Sequence, residues 1–267
     1  MIRKRFIMLL IISLIATSFC QAQSNLKNSL QSENLKGKVK CVKTIYYLED
    51  EKDKKNSTNY LNDSKTKLYD TNGNLIASYD SIGNVLRGKI LYFYDAKGSL
   101  TELHKCFADG TLFERRTFRD VGNNLREQCT DDYVNDVLVV RRDTLEYDNN
   151  GNIIRRTLHM RNEDAGHYIS DIYDSKGHLL TVCDNSDKTY LSASTFKYNK
   201  NGDVIEEKVI ERFRNFVYIS KYKYKYDKNK NWIKQTGKER HWNDKTKDNK
   251  IITRATTIVE RTIEYYE

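Results

Sequence analysis

Tyr147-Asp148-Asn149-Asn150-Gly151-Asn152-Ile153-Ile154 is the stretch that decides the reading of this chain. An Asp, two permissive residues and a Gly fit a type I turn closed by a left-handed glycine, with Asp148 placed to cap the turn's own backbone and Gly151 at the left-handed position. The stretch therefore reads as a hairpin corner. The corner recurs at Tyr69-Asp70-Thr71-Asn72-Gly73-Asn74, Tyr79-Asp80-Ser81-Ile82-Gly83-Asn84 and Tyr94-Asp95-Ala96-Lys97-Gly98. Later copies are Tyr173-Asp174-Ser175-Lys176-Gly177 and Tyr198-Asn199-Lys200-Asn201-Gly202-Asp203. Two weaker copies begin at Phe118 and Tyr226, the second placing Lys230 where the glycine belongs.

With Tyr79 set aside as an extra corner, the aromatic residues fall at 69, 94, 118, 147, 173, 198 and 226, in steps of 24 to 29 residues. A period in that range marks an architecture whose units bury their apolar faces on their neighbours. Strands entering a corner alternate, most clearly where Tyr218, Tyr222, Tyr224 and Tyr226 take one face and Lys221, Lys223 and Lys225 the other. Strands leaving a corner begin with two apolar residues, as in Leu75-Ile76, Val204-Ile205 and Trp232-Ile233, which predicts cover on both faces near the corner. The chain has 19 tyrosines and no proline, so every backbone amide can join a ladder. The expected fold is all-β, an elongated and curled stack of antiparallel hairpins forming a meander or solenoid.

Residues 1–22 read as a secretory signal. Arg3, Lys4 and Arg5 precede a short apolar run, and Ala22 followed by Gln23 fits the cleavage site. That run is too short for a membrane span, which needs about 20 residues. Cys20 supports a lipoprotein alternative, although Phe19 stands where such signals carry a small residue. Export places the mature chain in the periplasm, on the outer surface or outside the cell, with no transmembrane span of its own. Residues 23–36 form a polar leader and residues 37–267 a single β domain, opening on a strand from Gly37. Removal of the three basic residues lowers the Lys and Arg count from 46 to 43 against 37 acids, a net charge near +6. Cys41, Cys106, Cys129 and Cys183 remain, either as disulfides or as buried thiols.

The recurring Tyr-Asp-x-x-Gly motif resembles the YD repeats of bacterial Rhs-type surface proteins, over roughly residues 64–235. The layout as a whole resembles small secreted YD-repeat proteins, which implies an exported module that binds carbohydrate or serves a structural role. The toxin-bearing shell of large Rhs proteins is not implied, because its delimiter contains proline.

Residues with catalytic spacing are scarce. The five histidines form no His-Glu-x-x-His pair, and the chain has no Gly-x-Ser-x-Gly elbow, phosphate-binding glycine loop or Cys-x-x-Cys. Self-capping of the turns accounts for the corner Asp and Asn residues, so no metal or cofactor is expected. The strongest candidate surface is basic and aromatic: Lys221, Lys223, Lys225, Lys228, Trp232, Lys234 and Trp242. It reads either as a solvated strand face or as a site for an acidic glycan or envelope protein, with rings stacking on sugars and lysines meeting anions. Nucleic acid is not an expected partner, since no reader motif is present. The expected function is non-catalytic binding or support in the envelope. The alternative is a glycan-active hydrolase, which requires two carboxylates about 5–10 Å apart.

Overall fold

The computed structural model describes residues 29–50, 63–122, 124–134, 137–149, 152–159, 167–174, 177–184, 192–211, 216–243 and 251–267. The signal with Ala22, Gln23 and Cys20, the loop at 51–62 and Gly151 lie outside them. A short helix, α1 (Ser29–Ser32), precedes the strands β1 (Val39–Asp50), β2 (Asp63–Tyr69), β3 (Leu75–Ile82), β4 (Val85–Tyr94), β5 (Leu100–Phe107), β6 (Leu112–Gly122), β7 (Leu125–Val134) and β8 (Val137–Tyr147). There follow β9 (Ile153–His159), β10 (His167–Tyr173), β11 (Leu179–Asp184), β12 (Ser192–Tyr198), β13 (Val204–Glu211), β14 (Phe216–Tyr226), β15 (Trp232–Asn243) and β16 (Ile251–Tyr265).

Each strand pairs antiparallel with its neighbours in sequence, and β16 pairs with β1, so the sixteen described strands form a closed barrel. This corrects the expected elongated, curled stack of hairpins. The seam is as regular as any hairpin, running from Cys41 opposite Glu264 to Asp50 opposite Ala255. Closure satisfies both edges that an open sheet would leave bare.

Most of the corners gather at one rim. At the first, Gly73 N–H donates to the Asp70 carbonyl at 3.0 Å, and Asp70 Oδ1 accepts from the amides of Asn72 and Asn74 at 2.9 and 2.8 Å. Asp95, Asp148, Asp174, Asn199 and Asp227 cap the equivalent turns. Gly73, Gly98, Gly177 and Gly202 have φ between 80° and 84°, and Lys230 takes φ 65° in the glycine's place. Tyrosine hydroxyls tie several turns to a neighbouring one. The Tyr94 hydroxyl donates to the Leu75 carbonyl at 2.8 Å, Tyr198 to Leu179 at 2.7 Å, and Tyr266 crosses the seam to Tyr69 at 2.6 Å.

Two corners differ from the sequence reading. Tyr79 and Asp80 lie inside β3, Asp80 pairs with Lys65 at 3.3 Å, and the actual turn is the two-residue Gly83-Asn84 loop at the opposite rim. In the weak copy at Phe118, β6 runs on to Gly122, which lies opposite Leu125. Both differences arise because the neighbouring strand continues the ladder past the motif's aromatic residue.

The segment at 29–38 crosses the corner rim. Leu30 and Leu35 join Val39, Val42, Tyr69 and Leu75 in an apolar cluster, packed by Tyr92, Ile263 and Tyr265. Glu33 meets Lys67 at 2.8 Å, Asn34 donates to Asp203 at 3.0 Å, and the Lys36 amide donates to Asn231 at 2.8 Å. Residues 29–36, read as a polar leader, are thus folded against corners on two sides of the mouth. Elsewhere the inner wall is polar, with Glu114 held by Lys105 at 2.8 Å and Arg116 at 2.7 Å, as wide barrels accommodate.

Candidate functional site

The alternation of β14 sorts its side chains between the two sides of the wall. Tyr222, Tyr224 and Tyr226 are half-buried and face inward, while Lys221, Lys223 and Lys225 are exposed outside. Register then assembles the outer face. Lys221 stands directly across from Lys238 on β15, and Lys225 from Lys234. Like charges so placed destabilise a sheet. Glu206 on β13 relieves part of this, accepting from Lys197 at 2.7 Å and Lys221 at 3.3 Å; those hydrogen bonds hold its carboxyl below the usual range. Lys234 meets Glu260 at 2.7 Å. Among the described residues, Lys223, Lys225 and Lys238 have no carboxylate within ion-pair distance.

The structure therefore brings Lys221, Lys223, Lys225 and Lys234 into one patch and adds Lys238. Trp242 lies further along the outward row of β15, opposite Val217. Lys228 is elsewhere, exposed on the rim turn. Trp232 is not on this face at all. Its ring lies under the Arg261 guanidinium, 3.4 Å from carbon to ring centroid, and 5.8 Å from the Tyr224 ring, so it is not a platform beside the lysines. The burial that turns it inward comes from β16, which sequence periodicity could not pair with β15.

The inner side of the same strands holds a group that sequence reasoning missed. Ser220 lies across from Glu207 on β13 and from Glu239 on β15, so both carboxylates flank it on the lumen face. The Tyr222 hydroxyl meets Glu207 at 3.2 Å. Burial, with the Glu207 charge second, pushes the Glu239 carboxyl up to about 7, and burial raises Glu207 as well. His241, 2% exposed, lies 5.3 Å from the Tyr218 ring, and burial holds its imidazole below the ordinary value. The group is a carboxyl pair able to hold a proton near neutral pH. Its only sequence signal was parity with the inward tyrosines.

Cys41, Cys106, Cys129 and Cys183 are free thiols on β1, β5, β7 and β11. No two of these strands are neighbours, and strands two apart lie about 9.5 Å from one another, beyond the reach of a disulfide.

No protein-family model matches the chain. No curated protein matches it. Among solved structures, a crystal structure described as a porin-like protein from Bacteroides uniformis aligns with a TM-score of 0.57 and 13% identity, over 85% of this chain and 96% of that one. A Photorhabdus luminescens Tc holotoxin pore aligns at 12% identity over 79% of this chain and 16% of that one, with a TM-score of 0.21. The first likeness is one of fold: a closed barrel. It also overturns the YD-repeat resemblance, which no family model supports. Tyr-Asp-x-x-Gly is a local prescription for a hairpin corner, and a closed barrel needs such corners as much as an open repeat does.

Proposed function

We propose that this chain is an exported, envelope-associated barrel whose wall faces water and whose β14–β15 outer face binds an acidic glycan. The observation that carries the reading is the pair of cross-strand lysine pairings in the ladder, Lys221 opposite Lys238 and Lys225 opposite Lys234. Repulsion of this kind is costly in a free sheet and is relieved by a polyanion lying along the two strands.

The same rows support a wall in water. A barrel that spans a bilayer presents an apolar band about 25 Å tall, and Lys or Arg at the midplane of that band costs about 2–4 kcal/mol each. Outward positions here include Lys197, Lys223, Lys225, Lys238 and Arg240, all exposed. The signal read at residues 1–22 supplies export.

The test is capture of the mature chain on immobilised polygalacturonate and its neutral counterpart. Capture by the acidic polymer alone, falling with added salt, is expected. Lys223→Gln, Lys225→Gln and Lys238→Gln together should weaken it about tenfold while the melting temperature holds or rises, because the cross-strand repulsion is removed. Salt-insensitive capture unaffected by the three changes would remove this face as the site. A protein that stays dispersed only in detergent would overturn the water-facing wall.

A second reading rests on Glu207 and Glu239. Paired carboxyls with one raised value are the equipment of glycoside hydrolysis. Release of reducing ends from polygalacturonate, abolished by Glu239→Gln, would favour it over simple binding.

A further inference from the structure

The two apolar residues that begin each strand after a corner have different fates. The first faces the lumen side, buried in Leu75 at 6% exposure and Ile153 at 3%, and half-buried in Leu179, Val204 and Trp232. The second points outward: Ile76, Leu180, Ile205 and Ile233 are each 37–40% exposed. On the strands entering the corners, Phe93 and Ile172 are exposed by 41% and 55%. Register sets these at one distance from their own turns. Ile172 lies opposite Thr181, Lys197 opposite Glu206 and Lys225 opposite Lys234, each one residue beyond the outward Leu180, Ile205 or Ile233. The corner rim thus wears a collar of bare aliphatic side chains, interleaved with Lys197 and Lys225 and topped by the exposed turn lysines Lys97, Lys200, Lys228 and Lys230.

Single exposed apolar residues are ordinary surface, but here the motif repeats them beside successive corners, on β3–β4 and from β10 to β15. We propose that the collar seats the barrel, corner end first, on an anionic lipid surface. One residue's height is far short of the apolar band that spans a bilayer, and it suits the about 5–10 Å depth at which apolar groups enter the headgroup boundary. Lysine stems on either side can lie along the acyl boundary while their ammonium groups meet lipid phosphates. Charge decides against a second copy docked end to end. Its turns would bring Lys97, Lys200, Lys228 and Lys230, all exposed, towards their own counterparts, whereas lipid phosphates offer them anions alone.

The inference is independent of glycan binding, and the experiment keeps them apart. The mature chain is floated with vesicles of phosphatidylcholine alone and of phosphatidylcholine mixed with phosphatidylglycerol. The wild type should float with the mixed vesicles only. Ile172→Gln, Ile205→Gln and Ile233→Gln together should reduce flotation about tenfold, while melting temperature and polygalacturonate capture stay as in the wild type. Lys200→Gln, Lys228→Gln and Lys230→Gln should also weaken flotation, through charge rather than apolar contact. Equal flotation of the isoleucine variant, or a wild type that does not float but sediments as a dimer which that variant dissociates, would overturn the proposal.

Discussion

The ring of Tyr222 lies across the strand boundary over Gly237, directly opposite it in the β14–β15 ladder. A Cβ at 237 would come within 3.0 Å of that ring and overlap the Thr257 hydroxyl on β16. The glycine is therefore required by close approach, and the tyrosine fills the space it leaves. Gly237→Ala should destabilise the barrel by about 1–3 kcal/mol, read as a lower denaturation midpoint. An unchanged midpoint would mean that β15 and β16 can part at no cost.

The corners offer a paired test. Asp70 Oδ1 and Oδ2 together accept from two amides and from Asn74 Nδ2 at 3.0 Å, so Asp70→Ala should cost about 1–3 kcal/mol. Lys230 holds the left-handed position that glycine fills in Gly73, Gly98, Gly177 and Gly202. Lys230→Gly should instead leave stability unchanged or raise it by up to about 1 kcal/mol, the relieved backbone strain offsetting the entropy of glycine. Thermal melts that move in the same direction for both would contradict this assignment of the turn.

Tyr224 is anchored twice. Its hydroxyl donates to the Val204 carbonyl and accepts from Gln235 Nε2 at 2.9 Å, and its ring packs beside Trp232. Tyr224→Ala should cost about 3 kcal/mol or more, and Tyr224→Phe about 1–2, measured by chemical denaturation.

The lysine face predicts opposite signs for stability and binding. Lys238→Glu turns its contact with Lys221 from repulsive to attractive and should stabilise the sheet by about 0.2–1 kcal/mol. The same change should weaken capture by an acidic polymer. A variant that loses stability while keeping capture would refute the functional reading of the patch.

Glu239 makes stability depend on pH. Its folded value of about 7 lies above the ordinary 4.5, so between those limits the folded chain holds a proton the unfolded chain has released. Stability should fall as pH rises from about 4.5 to about 7, then level off. Glu239→Gln should remove that slope and be the more stable protein above pH 7. His241 acts the other way, since its lowered value makes protonation below the ordinary 6.5 destabilising. Melts of Glu239→Gln against wild type across pH 4 to 9 isolate the carboxyl, and parallel curves would rule it out.

What the sequence determined by itself was local. A capped turn is closed by hydrogen bonds between residues four apart, so Asp70, Gly73, Asp174 and Gly177 carried their own geometry, and Lys230 could be seen standing in for a glycine. The division of β14 into a tyrosine face and a lysine face was equally legible, because alternation needs no partner. Tertiary structure decided the rest. Whether sixteen strands stay open or close depends on accumulated twist and on β1 meeting β16, an encounter between residues some two hundred positions apart that no local pattern encodes. Register decided which alternating residues share a face: it set Lys221 against Lys238, placed Glu207 and Glu239 around Ser220, and turned Trp232 beneath Arg261. It also absorbed Tyr79 and Asp80 into β3, because β4 continues to pair there. A slip of one residue would exchange the faces, and only the packed barrel, with one side crowded and the other in water, specifies which register holds.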